Sequence, residues 1–166
     1  ADTAAWERGL QTGLDALCGI ALLLAVAMQW LAGPLVSTLF GAEYAAAAPV
    51  LALHVWAGVF IFMRALLSRW LVAEDLLRFS LVTHLAGAVI NVAGNLVLIP
   101  RHGPMGAAVA TVLAYATAGW LALFVSAATR PMAWKMGRAL LLPLLPDLFD
   151  DFRAHQTVQP RPRRNE

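Results

Sequence analysis

Charged residues are scarce in this chain. Asp, Glu, Lys and Arg make up 13% of its 166 residues, whereas they make up about a quarter of an ordinary soluble domain. Apolar residues account for 60% of the chain, and the mean hydropathy is +0.69. This balance excludes an ordinary soluble domain and predicts an integral membrane protein.

Cysteine is nearly absent as well. Cys18 is the one cysteine of the chain and lies within an apolar stretch. A lone cysteine cannot build a disulfide framework or a thiolate metal cluster, so we expect a small buried side chain. His54 and His84 lie near the ends of apolar stretches, without the partner spacing of metal ligands. Each is either an interfacial side chain or a proton carrier in ion coupling.

Signatures of catalysis and of nucleic-acid binding are missing. The sequence has no nucleophile elbow, no phosphate-binding glycine loop and no paired His-Glu metal motif. Its net charge is only +2, and no aromatic and basic recognition module accompanies that charge. We therefore expect no enzyme, no cofactor, no metal site and no nucleic-acid partner.

Four apolar stretches are present instead, at about residues 14–39, 49–70, 81–99 and 105–127. Each is long enough for a bilayer core, which takes roughly 20 helical residues. Their apolar positions do not alternate, and an open sheet would leave backbone groups unpaired in lipid. We predict an all-α integral membrane bundle with four transmembrane helices in residues 1–130. Residues 131–152 then form a cytoplasmic, amphipathic interfacial segment, and residues 153–166 a disordered tail.

The cationic residues predict the orientation, because they favour the cytoplasmic side of short loops. With four crossings, the N-terminus, the turn at 73–78 and the C-terminal segment share one side, and we expect that side to be cytoplasmic. The cationic residues on it are Arg8, Arg69, Arg78, Arg130, Lys135 and Arg138. The opposite side holds Glu43 and Arg101. The chain opens at Ala1 without a methionine, and we expect it to be a segment of a longer protein.

Three polar residues inside the stretches are candidates for a substrate cavity. Arg64 lies in the second stretch, and Asn91 and Asn95 lie one helical turn apart in the third. Arg64 either binds a pyrophosphate with its forked donors or extends to the lipid headgroups. The two amides either bind sugar hydroxyls or a coupling ion, or join neighbouring helices.

Glycine, proline and alanine mark the turns and the helix contacts. Gly41 can end the first helix, Pro100 can end the third, Gly103 can form the turn, and Pro104 can open the fourth helix. Small residues then recur every four positions, which permits close helix approach. These residues are Gly106, Ala110, Ala114 and Ala118.

Two of these segments carry a family resemblance. "LFGAEYAAAAPVL" at 39–51, followed by "INVAGNLVLIPRHGPMGAAVAT" at 90–111, resembles the C-terminal part of Wzx-like polysaccharide-export flippases. These belong to the multidrug/oligosaccharidyl-lipid/polysaccharide exporter superfamily. The first motif matches at Phe40, Gly41, Glu43, Tyr44 and Ala47. The second motif matches at Asn91, Asn95, Ile99, Pro100, Gly103, Gly106, Ala107, Ala108, Ala110 and Thr111. His102 and Pro104 depart from the residues common in the family at these two positions.

The resemblance implies a transporter of lipid-linked oligosaccharide repeat units. Such proteins look like two helical bundles around a central cavity, and they work by alternating access in the bacterial inner membrane. The four stretches would be the last third of a roughly twelve-helix transporter, with the remaining helices and membrane lipids as partners. The resemblance also implies a structural role for Glu43 and Tyr44 in the outer loop. Two alternatives stay open: another exporter of the superfamily, for drugs or a lipid precursor, and a small four-helix scaffold or anchor protein.

Overall fold

The chain folds into helices joined by short turns, as a computed structural model of residues 3–141 shows. The α-helices are α1 (Thr3–Phe40), α2 (Ala48–His54), α3 (Trp56–Ala73), α4 (Leu77–His102), α5 (Pro104–Gly119) and α6 (Arg130–Leu141). Two 3₁₀ turns, Ala42–Ala47 and Leu121–Phe124, precede α2 and follow α5. No strand occurs within residues 3–141. The predicted all-α fold is therefore confirmed.

Four helical segments are long and apolar enough to cross a membrane, as expected for a membrane-embedded protein. They are Trp6–Phe40, Ala42–Ala73, Leu77–His102 and Pro104–Phe124. The second contains both α2 and α3, which are joined through Val55 in helical conformation. The first three segments are longer than their predicted stretches because the helices continue beyond the apolar residues into their polar ends. The fourth ends at Phe124, before the predicted end at residue 127.

The helices pack in an order that differs from their order along the chain. α1 lies against α2 and α3, these two lie against α5, and α5 packs along the length of α4. α3 touches α4 over a smaller area. α5 therefore separates most of α4 from α2, and polar side chains of α3, α4 and α5 can meet.

A core of large side chains lies where α1, α3 and α6 meet. Its fully buried members include Leu14, Cys18, Met63, Leu67, Leu71, Leu123, Met132 and Met136. The expected burial of Cys18 is confirmed. We call this set the large-residue core.

α6 forms part of this core, which refines the predicted interfacial segment. Its apolar residues Met132, Ala133 and Met136 are buried against the bundle, so this face of α6 contacts protein instead of lipid. Trp120 donates a hydrogen bond from Nε1 to the carbonyl of Ala133 at 3.0 Å. Residues 142–152 and the predicted disordered tail at 153–166 lie outside the described residues.

The turn between α3 and α4 has a specific backbone geometry. Leu76 donates its N–H to the carbonyl of Leu71 at 2.7 Å, and Asp75 donates to Val72 at 3.2 Å. Asp75 has a φ of 56°, the left-handed conformation. Together these features form a Schellman motif, which pairs the last carbonyls of α3. The short predicted turn is thus closed by hydrogen bonds.

Three predicted helix boundaries were tested by the structure. Gly41, with a φ of 102°, follows the end of α1, as predicted. The prediction that Pro100 ends α4 was wrong, because α4 continues through Pro100 to His102. Proline removes one backbone donor but keeps a helical φ, so the last turn can form around it. Gly103, with a φ of 57°, makes the turn, and Pro104 opens α5 as predicted.

Candidate polar site within the helical bundle

The polar residues lie at or beside a close contact between α4 and α5. The small residues predicted to mediate helix approach, Gly106, Ala110, Ala114 and Ala118, are buried. A Cβ atom added to Gly87 of α4 would lie 2.7 Å from the Cβ of Ala118. One added to Gly94 would lie 2.9 Å from the Cβ of Ala110. Both distances are too short for real Cβ atoms, so the two helices approach as closely as their side chains permit.

Asn91 and Asn95 join this interface through a short chain of hydrogen bonds. Asn95 donates from Nδ2 to Oδ1 of Asn91 at 3.1 Å, and Asn91 donates from Nδ2 to the Thr111 hydroxyl of α5 at 3.3 Å. Thr111 in turn donates to the carbonyl of Ala107 at 2.9 Å. The chain thus links α4 to α5, which is the packing alternative for these amides. Oδ1 of Asn95 is buried without a hydrogen-bond partner in the described part of the chain.

Arg64 reaches from α3 to both α4 and α5. Its Nη1 donates to the carbonyl of Ala118 in α5. Its Nη2 lies 3.1 Å from the Thr83 hydroxyl and 2.7 Å from Nδ1 of His84, both on α4. Ser80 offers Nη2 two more acceptors, its carbonyl at 3.3 Å and its hydroxyl at 3.4 Å. One side chain therefore connects three helices.

The contact with Ala118 is a role of Arg64 that the sequence reasoning missed. Ala118 lies one residue before the end of α5, where carbonyls have no partner within the helix. A cation at a helix C-terminus pairs such a carbonyl and interacts favourably with the helix dipole. The sequence does indicate that the small residues of α5 end at Ala118 and Gly119. It does not indicate that Arg64 lies next to this helix end, because that depends on how the helices pack.

The charge of Arg64 has no acidic counterpart in the described residues. Its acceptors are neutral oxygens and a histidine nitrogen. The ion pairs of residues 3–141 lie elsewhere, between Lys135 and Glu7 at 3.7 Å and between Arg138 and Asp15 at 3.9 Å. The positive charge of this half-buried guanidinium is therefore not neutralised by any of these partners.

Arg64 and the two asparagines do not form one continuous site. Arg64 contacts the first two turns of α4, whereas Asn91 and Asn95 lie further along the same helix. Asn95 instead borders a shallow groove on the surface of α4, of about 360 Å³, that is otherwise lined by apolar residues. The structure thus places the cavity candidates at two levels of the bundle.

The loop that carries the first motif is exposed. Tyr44 donates its N–H to the carbonyl of Gly41 at 3.2 Å, and its ring lies 6.3 Å from that of Phe40. The Glu43 carboxylate lies over Gly41, where an added Cβ would be 3.4 Å from its Cδ. These contacts are internal to the loop, so its motif residues shape the chain between α1 and α2.

Cationic residues gather at one end of the bundle. The two ion pairs join α6 to the beginning of α1, and the packing of Leu76 against the large-residue core brings the α3–α4 turn to the same end. Arg8, Arg69, Arg78 and Arg130 belong to these segments and are exposed. At the opposite end lie Arg101 and His102, in the last turn of α4.

Comparison of the chain with protein-family models, with curated proteins and with solved structures found no match.

Proposed function

We propose that this chain is the C-terminal four-helix segment of a Wzx-like polysaccharide-export flippase. The whole transporter moves lipid-linked oligosaccharide repeat units across the bacterial cytoplasmic membrane by alternating access. The observation that carries the proposal is the resemblance of two motifs in the right order, at Phe40 to Tyr44 and at Asn91 to Thr111.

The local roles of the motif residues support this assignment. In the second motif, Asn91 bonds to Thr111 across the α4–α5 interface, and Gly103 makes the turn between these helices. A Cβ at Gly106 would collide with the backbone carbonyl of Leu98. The motif residues thus form the turn and the close contact between α4 and α5.

The polar groups within the bundle suit an anionic substrate. Arg64 carries a positive charge without an acidic partner among residues 3–141. Arginine is well suited to the oxygens of a pyrophosphate because its donors form a planar fork. Arg64 would thus attract the head of a lipid-linked sugar, with Asn91 and Asn95 as further polar groups of the transport path.

The distribution of cations supports a cytoplasmic location for both ends of the segment. The end that contains α6, the start of α1 and the α3–α4 turn is rich in exposed arginines. Such residues favour the cytoplasmic side of a bacterial inner membrane.

The structure argues against one feature of the scaffold alternative, an interface between copies formed by α5. It would use the small residues of α5 as an interface between copies of the chain, but Gly106, Ala110, Ala114 and Ala118 are buried within the bundle, and α4 covers this face. An interface that is already occupied inside the chain is not free for a second copy.

The proposal can be tested by deleting the reading frame in the bacterium that encodes it. We expect lipid-linked repeat units to accumulate on the cytoplasmic leaflet and surface polysaccharide to disappear. A plasmid copy of the full reading frame should restore export, and a copy with Arg64→Ala should restore it poorly. Arg69→Ala is the matched control, since Arg69 is exposed near the end of α3.

The deletion also separates the alternatives. Unchanged surface polysaccharide with no build-up of repeat units would overturn the proposal. If that result came with increased sensitivity to toxic compounds, the multidrug alternative would replace it. Insertion of each variant in the membrane must be measured in parallel, so that a missing protein is not taken for an inactive one.

A further inference from the structure

His84 has two contacts that cannot both be hydrogen bonds of the same atom. Its Nδ1 lies 2.7 Å from Nη2 of Arg64 and 2.9 Å from the carbonyl oxygen of Ser80. A guanidinium only donates and a carbonyl only accepts. Nδ1 therefore accepts from Arg64 when it carries no proton, and donates to Ser80 when it carries one.

The protonation state of Nδ1 decides whether Arg64 of α3 is hydrogen-bonded to His84 of α4. With Nδ1 unprotonated, the imidazole of α4 binds the guanidinium of α3. With Nδ1 protonated, the imidazole bonds to the carbonyl one turn earlier on its own helix, and two donors face each other across the helix pair. If the ring also becomes cationic, its charge repels that of Arg64.

His84 lies on the surface of the bundle. Its side chain is exposed and lies in the second turn of α4, close to the cation-rich end of the bundle. The elements packed against this part of α4 contribute few other charges. α3 carries Arg64 and Arg69, α5 has Tyr115 as its titratable side chain, and Arg78, Glu74 and Asp75 lie at or before the start of α4. In the described residues, Arg64 is the charged group in hydrogen-bond contact with His84.

We propose that Nδ1 of His84 is a proton-binding site that competes with Arg64. Binding of a proton from solvent breaks the bond between Arg64 and His84 and replaces it with the bond from His84 to Ser80. Arg64 then keeps its contact with Ala118 and shifts its Nη2 to the hydroxyls of Ser80 and Thr83. The site thus makes one contact between α3 and α4 dependent on pH, whatever substrate the protein handles.

The test is the protonation state of Nδ1, read from ¹⁵N chemical shifts of histidine in the full chain, reconstituted in lipid bilayers. Comparison with His84→Gln assigns the signals. We expect Nδ1 of His84 to be unprotonated at alkaline pH, with the proton of the neutral ring on Nε2, and to become protonated on acidification. A neutral ring with its proton on Nδ1 would overturn the proposal, because Arg64 could not then be its donor.

Removal of Arg64 provides the second readout. Arg64→Met keeps a long side chain without donors. It should move the proton of the neutral ring from Nε2 toward Nδ1, where the carbonyl of Ser80 can accept it. An unchanged spectrum in a folded Arg64→Met protein would contradict the competition. His54→Gln is the matched control, because His54 is an exposed histidine at the junction of α2 and α3, away from the Arg64 contacts.

A third measurement keeps the test decisive if Arg64→Met does not fold. The ¹⁵Nη signal of Arg64 should change with pH in the unmodified chain and lose that change in His84→Gln. Retention of the same pH dependence in His84→Gln would show that another group controls Arg64, and would overturn the proposal.

Discussion

The two main interfaces of this bundle are built in opposite ways. The large-residue core joins α1, α3 and α6 through leucine and methionine side chains that are fully buried. The α4–α5 interface is formed by glycine and alanine, with added Cβ atoms at Gly87 and Gly94 excluded by their neighbours. In lipid, hydrophobic burial does not drive helices together, so one interface depends on filled volume and the other on close backbone approach. Shrinking a side chain should therefore destabilise the large-residue core, and enlarging one should destabilise the α4–α5 interface.

The largest effect is expected where volume is removed from the large-residue core. Leu67→Ala should lower the free energy of unfolding by about 2–5 kcal/mol, because it leaves a cavity. We expect a value in the lower half of this range, since the transfer of a leucine side chain out of water contributes less in lipid. Denaturation in mixed micelles measures this change. Leu81→Ala is the control, since Leu81 is 61% exposed, and should change little. Equal losses in the two variants would remove the basis for calling the first region a core.

The next effect is expected where volume is added to the α4–α5 interface. Gly87→Ala should destabilise the fold by about 1–3 kcal/mol, because its Cβ would meet that of Ala118 at 2.7 Å. Removing the opposing methyl with Ala118→Gly should restore part of the loss in the double variant. Gly58→Ala is the matched control, because no atom lies within 4 Å of its added Cβ. Absence of rescue would argue against the direct contact of these two positions.

The polar link across the same interface should contribute less. Asn91→Ala removes the bond to Thr111, and we expect a loss of about 0.6–1.7 kcal/mol in unfolding free energy, the range for hydrogen bonds between membrane helices. A double-mutant cycle with Thr111→Val isolates the pair. Additive single effects would show that the two side chains do not interact.

The smallest expected effect lies in the turn between the two regions. Asp75→Gly should raise the unfolding free energy by up to about 1 kcal/mol, because glycine adopts a φ of 56° without the cost that other residues incur. Asp75→Val should lower stability, since a β-branched residue does not tolerate this conformation. A loss with glycine would indicate that the Asp75 side chain has a role of its own.

Composition and period predicted the helices well because both are local properties. The apolar stretches are long enough to indicate four spans, and the glycines at 41 and 103 indicated turns that need a positive φ. The sequence misplaces the end of α4 because proline usually ends a helix. A proline in the final turn loses only one bond, and the helix continues where that loss costs little.

The pairing of helices could not be read from the sequence. That α5 packs against α2, α3 and α4, and that α6 folds back on α1, depends on how the whole surface packs. For that reason the position of Arg64 inside the second span was predicted, while its contacts with Ala118 and His84 were not. The roles of Arg64, Asn91 and Asn95 in transport stay predictions that the export experiment addresses.

The most direct test of the account is the sidedness of the two ends of α4. This helix runs from Leu77 to His102, a length of about 39 Å at 1.5 Å per residue, which exceeds a hydrocarbon core of about 30 Å. On a Cys18→Ala background, we expect His102→Cys to react with a membrane-impermeant thiol reagent in intact cells. Glu74→Cys should react only after the membrane is opened. Labelling of both cysteines from the same side would contradict a four-span bundle.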